Sequence, residues 1–295
     1  MLDEIKRRKE DLLILKNYVD KETKNIESSM SDILKDVDAL ANTFAFKDEI
    51  ERITLASMLV TRGYLSKDSS YTYDTNMKES KFMANHLLNY SCVSLEGKGC
   101  CRHTSALIKL LLDELLVESG VAMLRSGLAE NKNIEKLELM MDDFFRNYSK
   151  ANHAADYVRY DGDVFIFEPL KNSSMLAFYS IDKSFVKAFE NYGKQLSFKL
   201  LNTNVEEYNT KDALAFVYNY DLFSSTPREM GLDKVTELEK EKQDLILQKY
   251  DQAFLTILRN PELLSDFREK NEENVMNINR SYQKILTNEK MVLKK

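Results

Sequence analysis

"GKGCCRHTSALIKLLLDEL", residues 97–115, sets two glycines, two adjacent cysteines and a histidine directly ahead of an apolar run. Ala106, Leu107, Leu110, Leu111 and Leu115 fall on one face of a 3.6-residue period, so the spacing predicts a buried helix starting at or near the cysteines. The chain has 3 Cys and 3 His in 295 residues, and Cys100, Cys101 and His103 are crowded together here. A thiol in a first helical turn faces unsatisfied backbone N–H groups and the positive end of the helix dipole, both of which favour thiolate. Gly97 and Gly99 let the backbone turn sharply ahead of it and leave room for a substrate.

Composition narrows what such a thiol serves. A formal charge of −6 gives no electrostatic footprint for nucleic acid, and no basic cluster reverses it. The opening "MLDEIKRRKEDLLILKNYVDKE" lacks the apolar core of a signal peptide, and no stretch approaches the roughly 20 apolar residues of a membrane span. A cytoplasmic address is the expectation, with leaderless secretion equally compatible, and no membrane partner is expected. Cys100 and Cys101 are neighbours in an odd set of three, which argues against a disulfide framework. A zinc site from Cys100, Cys101, His103 and His153 would need adjacent cysteines at two corners of one tetrahedron, and there is no CxxC pair, so neither metal nor cofactor is expected.

Outward from this segment the chain reads in three parts. Residues 1–60 form an N-terminal helical extension with Leu12, Ile14, Leu15, Tyr18 and Val19 in one stripe, continued by Ile26, Met30, Ile33, Leu34 and Val37. Residues 61–205 hold the β-like runs, with five of the eight glycines between positions 97 and 162. Residues 206–295 return to helix, with one long helix ended at Asn260-Pro261 and a last one beyond it. Apolar spacing in that last helix is irregular as often as heptad-like, so coiled-coil pairing of the two ends is weakly supported.

A hairpin supplies the chemistry that the cysteines lack. In "HAADYVRYDGDVFIFEPL", residues 153–170, Asp161-Gly162 is a two-residue turn signal between β-like runs. That turn sets Tyr160 opposite Asp163, Val158 opposite Phe165, Asp156 opposite Phe167 and Ala155 opposite Glu168. His153 and Glu168 then share a face as diagonal neighbours about 7–8 Å apart, close enough for a carboxylate to hold an imidazole. Asp156 and Asp163 fall on the other face, so the register selects Glu168.

The two segments together resemble the transglutaminase-like superfamily. There, a Gly-x-Cys-Arg motif opens a helix and a Gly-Ile/Val-x-x-Arg strand follows, as in "GCCRH…GVAMLRSGL"; His-Ala then begins a strand and Asp-Pro ends the next, as in "HAADYV…IFEPL". The resemblance covers about residues 80–170. It implies Cys101 as nucleophile, His153 as base and Glu168 in the place of the usual aspartate. It also implies an α+β, papain/transglutaminase-like core, in which the Cys-bearing helix packs on an antiparallel sheet between helical extensions. The family's tryptophan after His-Ala is replaced by Ala155, and the chain has no Trp, which leaves the second oxyanion donor unidentified beside the Cys101 N–H.

The expected activity is therefore cysteine-dependent hydrolysis of a protein or peptide amide through a thioester, with amide transfer to an amine as the alternative. A non-catalytic scaffold whose helical ends bind a protein partner is the reading from another class. Arg102 and His103 are expected to support the helix start, since consecutive helical residues point away from Cys101, and His86 in "SKFMANHLLNY" reads as helix packing.

Overall fold

The computed structural model describes residues 2–83, 86–126, 153–161, 163–169, 176–181, 198–200, 213–216 and 240–293; beyond residue 121, strand side chains are described only at 154, 156, 158 and 160. The elements in order are α1 (Leu2–Thr43), α2 (Glu49–Thr61), β1 (Thr72–Tyr73), α3 (His86–Leu95), β2 (Lys98–Gly99) and α4 (Cys101–Glu114). Six strands follow: β3 (Ser119–Ser126), β4 (His153–Tyr160), β5 (Asp163–Pro169), β6 (Leu176–Ile181), β7 (Phe198–Leu200) and β8 (Ala213–Phe216). Helices α5 (Lys240–Leu258) and α6 (Pro261–Leu293) complete the described residues.

Helices α1 and α6 lie side by side. Leu15, Val19, Glu22, Ile26, Met30, Ile33, Val37 and Leu40 form the buried stripe of α1, at steps of three and four. Leu264, Phe267, Asn271, Val275, Ile278, Tyr282, Ile285 and Glu289 form that of α6. Lys270 Nζ meets Asp36 at 2.7 Å and Lys284 Nζ meets Glu22 at 3.8 Å, so the two helices run antiparallel. The α6 repeat looked irregular in sequence because Asn271, Asn279 and Glu289 occupy buried positions that an apolar count skips. Leu12 and Ile14, assigned to the α1 stripe from sequence, are exposed.

One hydrophobic cluster joins these helices to α2, α3, α4 and α5. Asp48 caps α2: its Oδ1 accepts the Ile50 N–H at 2.9 Å, while Glu51 reaches back to the Asp48 N–H at 3.0 Å. Its other oxygen takes Lys249 of α5 and, at 3.2 Å, the Tyr160 hydroxyl of β4, a three-element clamp on the rim of the core. Pro261 opens α6, where its missing N–H costs nothing.

The expected fold class is corrected. The body is mostly helical, and the sheet described through its side chains is the small parallel pair β1–β2, in place of a papain/transglutaminase-like antiparallel core. Strands β3–β8 pair through their backbones in the order β7-β6-β5-β4-β3-β8. Among the described residues, however, Val158 and Tyr160 are their members in the core cluster, which is otherwise helical apart from loop residues such as Phe46, Leu65, Met83 and Val117. Long amphipathic helices bury more apolar surface than one strand face offers, so they define the centre. Among the described residues, no helix is long and apolar enough to cross a membrane.

Candidate active site

Hairpin β4–β5 has Tyr160 opposite Asp163, Val158 opposite Phe165 and Asp156 opposite Phe167, the register read from the Asp161-Gly162 turn. Asp161 has φ 49°, the left-handed conformation that such a turn requires. Ala154, Asp156, Val158 and Tyr160 are buried on one face, and α4 packs against the strand.

The head of α4 is fixed from the other side by β1 and β2. Thr72 N–H donates to Gly97 O and Asp74 N–H to Gly99 O, each at 2.8 Å, which lays Tyr71 and Tyr73 beside the cysteines. Gly99 has φ 154°, and a Cβ there would stand 2.9 Å from both His103 Cβ and Tyr71 Oη. Thr104 Oγ1 holds that Tyr71 oxygen at 2.6 Å.

Cys100 is the N-cap of α4 and Cys101 its first helical residue. The Cys100 N–H donates to His103 Nδ1 at 2.9 Å, so in the neutral ring the proton sits on Nε2, which donates to Glu79 Oε1 at 2.9 Å. Arg102 spans the same two groups: Nε donates to Glu79 Oε1 at 2.7 Å, and Nη1 to Cys100 Sγ at 3.2 Å. His103 Nδ1 is also 3.5 Å from Cys100 Sγ. Cys100 and His103 are only 3% and 0% exposed, whereas Cys101 is half-buried.

Glu79 is held in turn by the C-terminal helix. The next residue, Ser80, donates its hydroxyl to Glu289 of α6, and its N–H goes to Asn89 Oδ1 at 3.1 Å. Tyr282 Oη donates to the same Asn89 oxygen at 2.8 Å, and the Lys81 N–H reaches Glu289 at 3.2 Å.

These contacts set the charges. The S–H of Cys101 donates to Cys100; that bond, with His103 and Arg102, outweighs burial and holds the Cys100 thiol well below the ordinary thiol range. The same bond, reinforced by burial, pushes Cys101 up, so at neutral pH the pair carries one negative charge and one proton. Against that rise, the backbone N–H groups of Ala154 and Arg102 bond to the Cys101 sulfur. Tyr73, raised first by burial and then by the cysteine charge, also hydrogen-bonds Cys101.

Burial would raise Glu79, yet His103 and Arg102 hold it below the usual carboxylate range; burial would lower His103, yet Cys100 and Glu79 raise it. The depressed Glu79 contributes stability that is present above the carboxylate range and is lost as pH falls through its folded value. The raised His103 contributes stability that is present below about pH 6.5 and is lost as pH rises through its folded value. The network is therefore strongest between about pH 5 and 6.5. Glu79→Gln is expected to flatten both limbs of the stability–pH curve in urea unfolding and to lower the His103 pKa in an NMR titration.

Of the residues expected from sequence, Cys101 stands in the first turn of α4, and His153 is the first residue of β4, paired with Leu124 and followed by the Ala154 whose N–H meets the Cys101 sulfur. Glu168 lies in β5 opposite Ala177, and the β4–β5 ladder runs from Asp156–Phe167 to the turn. The side chains of His86, His153 and Glu168 lie outside the described residues. Arg102 and His103 do support the helix start, but as partners of Cys100 and Glu79. Sequence reasoning missed Glu79, Tyr71, Tyr73 and the charge on Cys100. One signal was available: a buried Arg-His pair at a helix head calls for a carboxylate.

No family model, curated protein or solved structure matches this chain.

Proposed function

We propose that this protein is a cysteine-dependent amide hydrolase of the transglutaminase-like kind, acting on a protein or peptide amide through a thioester on Cys101. The observation that carries this reading is the setting of the Cys101 sulfur. It is partly exposed in the first turn of α4, and α4 packs against β4, the strand that begins at His153.

In this mechanism Cys101 passes its proton to His153 as its sulfur attacks the amide carbonyl. His153 delivers a proton to the departing amine, and water, deprotonated by His153, resolves the thioester. Glu168 holds the His153 tautomer and offsets its charge. The Cys101 N–H is one donor to the oxyanion. Cys100 keeps the negative charge beside the nucleophile between turnovers, with Arg102 balancing it.

Alkylation of the native protein by iodoacetamide across pH tests the reading. Cys101, the more exposed of the pair, is expected to be the thiol alkylated at neutral pH, and His153→Ala to slow it by roughly tenfold or more. The His153 dependence is expected to persist in Cys100→Ser. Equally slow alkylation of wild type, Cys101→Ser and His153→Ala would eliminate the hydrolase and leave the scaffold.

A further inference from the structure

We infer that Cys100 and Cys101 form a reversible dithiol switch, oxidised by a hydroperoxide to a disulfide between neighbouring residues. The inference rests on the same sulfur as the proposed hydrolase but needs neither His153 nor Glu168.

Two features of the pair point to this chemistry. Cys100 is the N-cap of α4 and Cys101 its first helical residue, so each thiol has a second thiol next to it in the chain as a resolving group. Their negative charge is fixed by Arg102 Nη1 at 3.2 Å, with His103 Nδ1 at 3.5 Å and Glu79 behind both. Access is one-sided: Cys100 is sealed in while Cys101 is half-buried, so an oxidant meets Cys101 first. A reactive sulfur with a resolving thiol beside it is the arrangement of a redox-sensing cysteine.

The steps balance as follows. The shared proton passes from Cys101 to Cys100, and the Cys101 thiolate attacks one oxygen of the hydroperoxide. The O–O bond breaks, leaving a sulfenic acid on Cys101 and releasing hydroxide or alkoxide, which takes up a proton. The Cys100 sulfur, losing its proton, then attacks the Cys101 sulfur and expels the oxygen as water. Two thiols are oxidised to one disulfide, and the hydroperoxide is reduced to water plus water or alcohol.

Consecutive Cα atoms are about 3.8 Å apart, closer than the roughly 4.4–6.8 Å of ordinary disulfides, so the product is strained and easily reduced. Oxidation would remove the nucleophile and the charge it shares, silencing the site until a thiol restores it. The third cysteine, Cys92, is fully buried in α3, and burial pushes its thiol up, which keeps it out of the exchange.

The test treats the native full-length protein with hydrogen peroxide and reads intact mass, free thiols after denaturation, and a peptide map. The expected product is about 2 Da lighter, monomeric and linked between Cys100 and Cys101, and it is reversed by glutathione. Cys100→Ser is expected to stop at a sulfenic acid on Cys101, trapped by dimedone. Stepwise oxygen addition without pairing in wild type, linkage through Cys92, a disulfide dimer or three untouched thiols would each overturn the switch. Failure here with His153-dependent alkylation intact removes the switch alone; pairing with His153-independent alkylation removes the hydrolase alone.

Discussion

Gly99→Ala is expected to destabilise the fold by at least about 2 kcal/mol and to disorganise the thiol site at the same time. Gly99 has φ 154°, where a side chain is strained, and the added carbon would meet His103 Cβ and Tyr71 Oη at 2.9 Å. Neither neighbour can retreat: His103 is tied to the Cys100 N–H and to Glu79, and Tyr71 to Thr104. The clash therefore passes into the bonds that fix the Cys100 charge. Gly97→Ala is the control, because its Cβ would strike the Ser70 carbonyl at 2.7 Å, away from His103. Both variants should lose stability in urea, but only Gly99→Ala should move the His103 imidazole resonances. An unchanged His103 titration in Gly99→Ala would show that the close packing at Gly99 has no part in setting the site.

Ile33→Ala is expected to cost about 2–5 kcal/mol, measured by urea unfolding. Ile33 is fully buried in the α1 stripe, so truncation loses its transfer energy and leaves a void between long helices that cannot easily close around it. Ile14→Ala, at an exposed position of the same helix, serves as reference and should change stability by less than about 0.5 kcal/mol. Similar losses for both would contradict the burial pattern on which the α1–α6 pairing rests.

The parts legible in sequence were those written in local chemistry. Asp161-Gly162 announced a turn and its register, the glycines and cysteines of 97–101 announced a helix start, and Pro261 announced another. The centre of the fold was not local. The two interlocking stripes are 200 and more residues apart in places, as at Asp36 with Lys270, and polar Glu22, Asn271 and Glu289 interrupt them. A reading anchored on the cysteine segment therefore gave the sheet the central place that the terminal helices hold. The same distance hid Glu79, which no spacing rule connects to His103.

The tether from Glu289 to Ser80 also bears on timing. A chain still being synthesised has made its cysteines long before residue 289 emerges, and until then the loop carrying Glu79 lacks its anchor on α6. The setting of the charged thiol is thus completed only after α6 has been made and has docked on this loop, well after the cysteines themselves have left the ribosome.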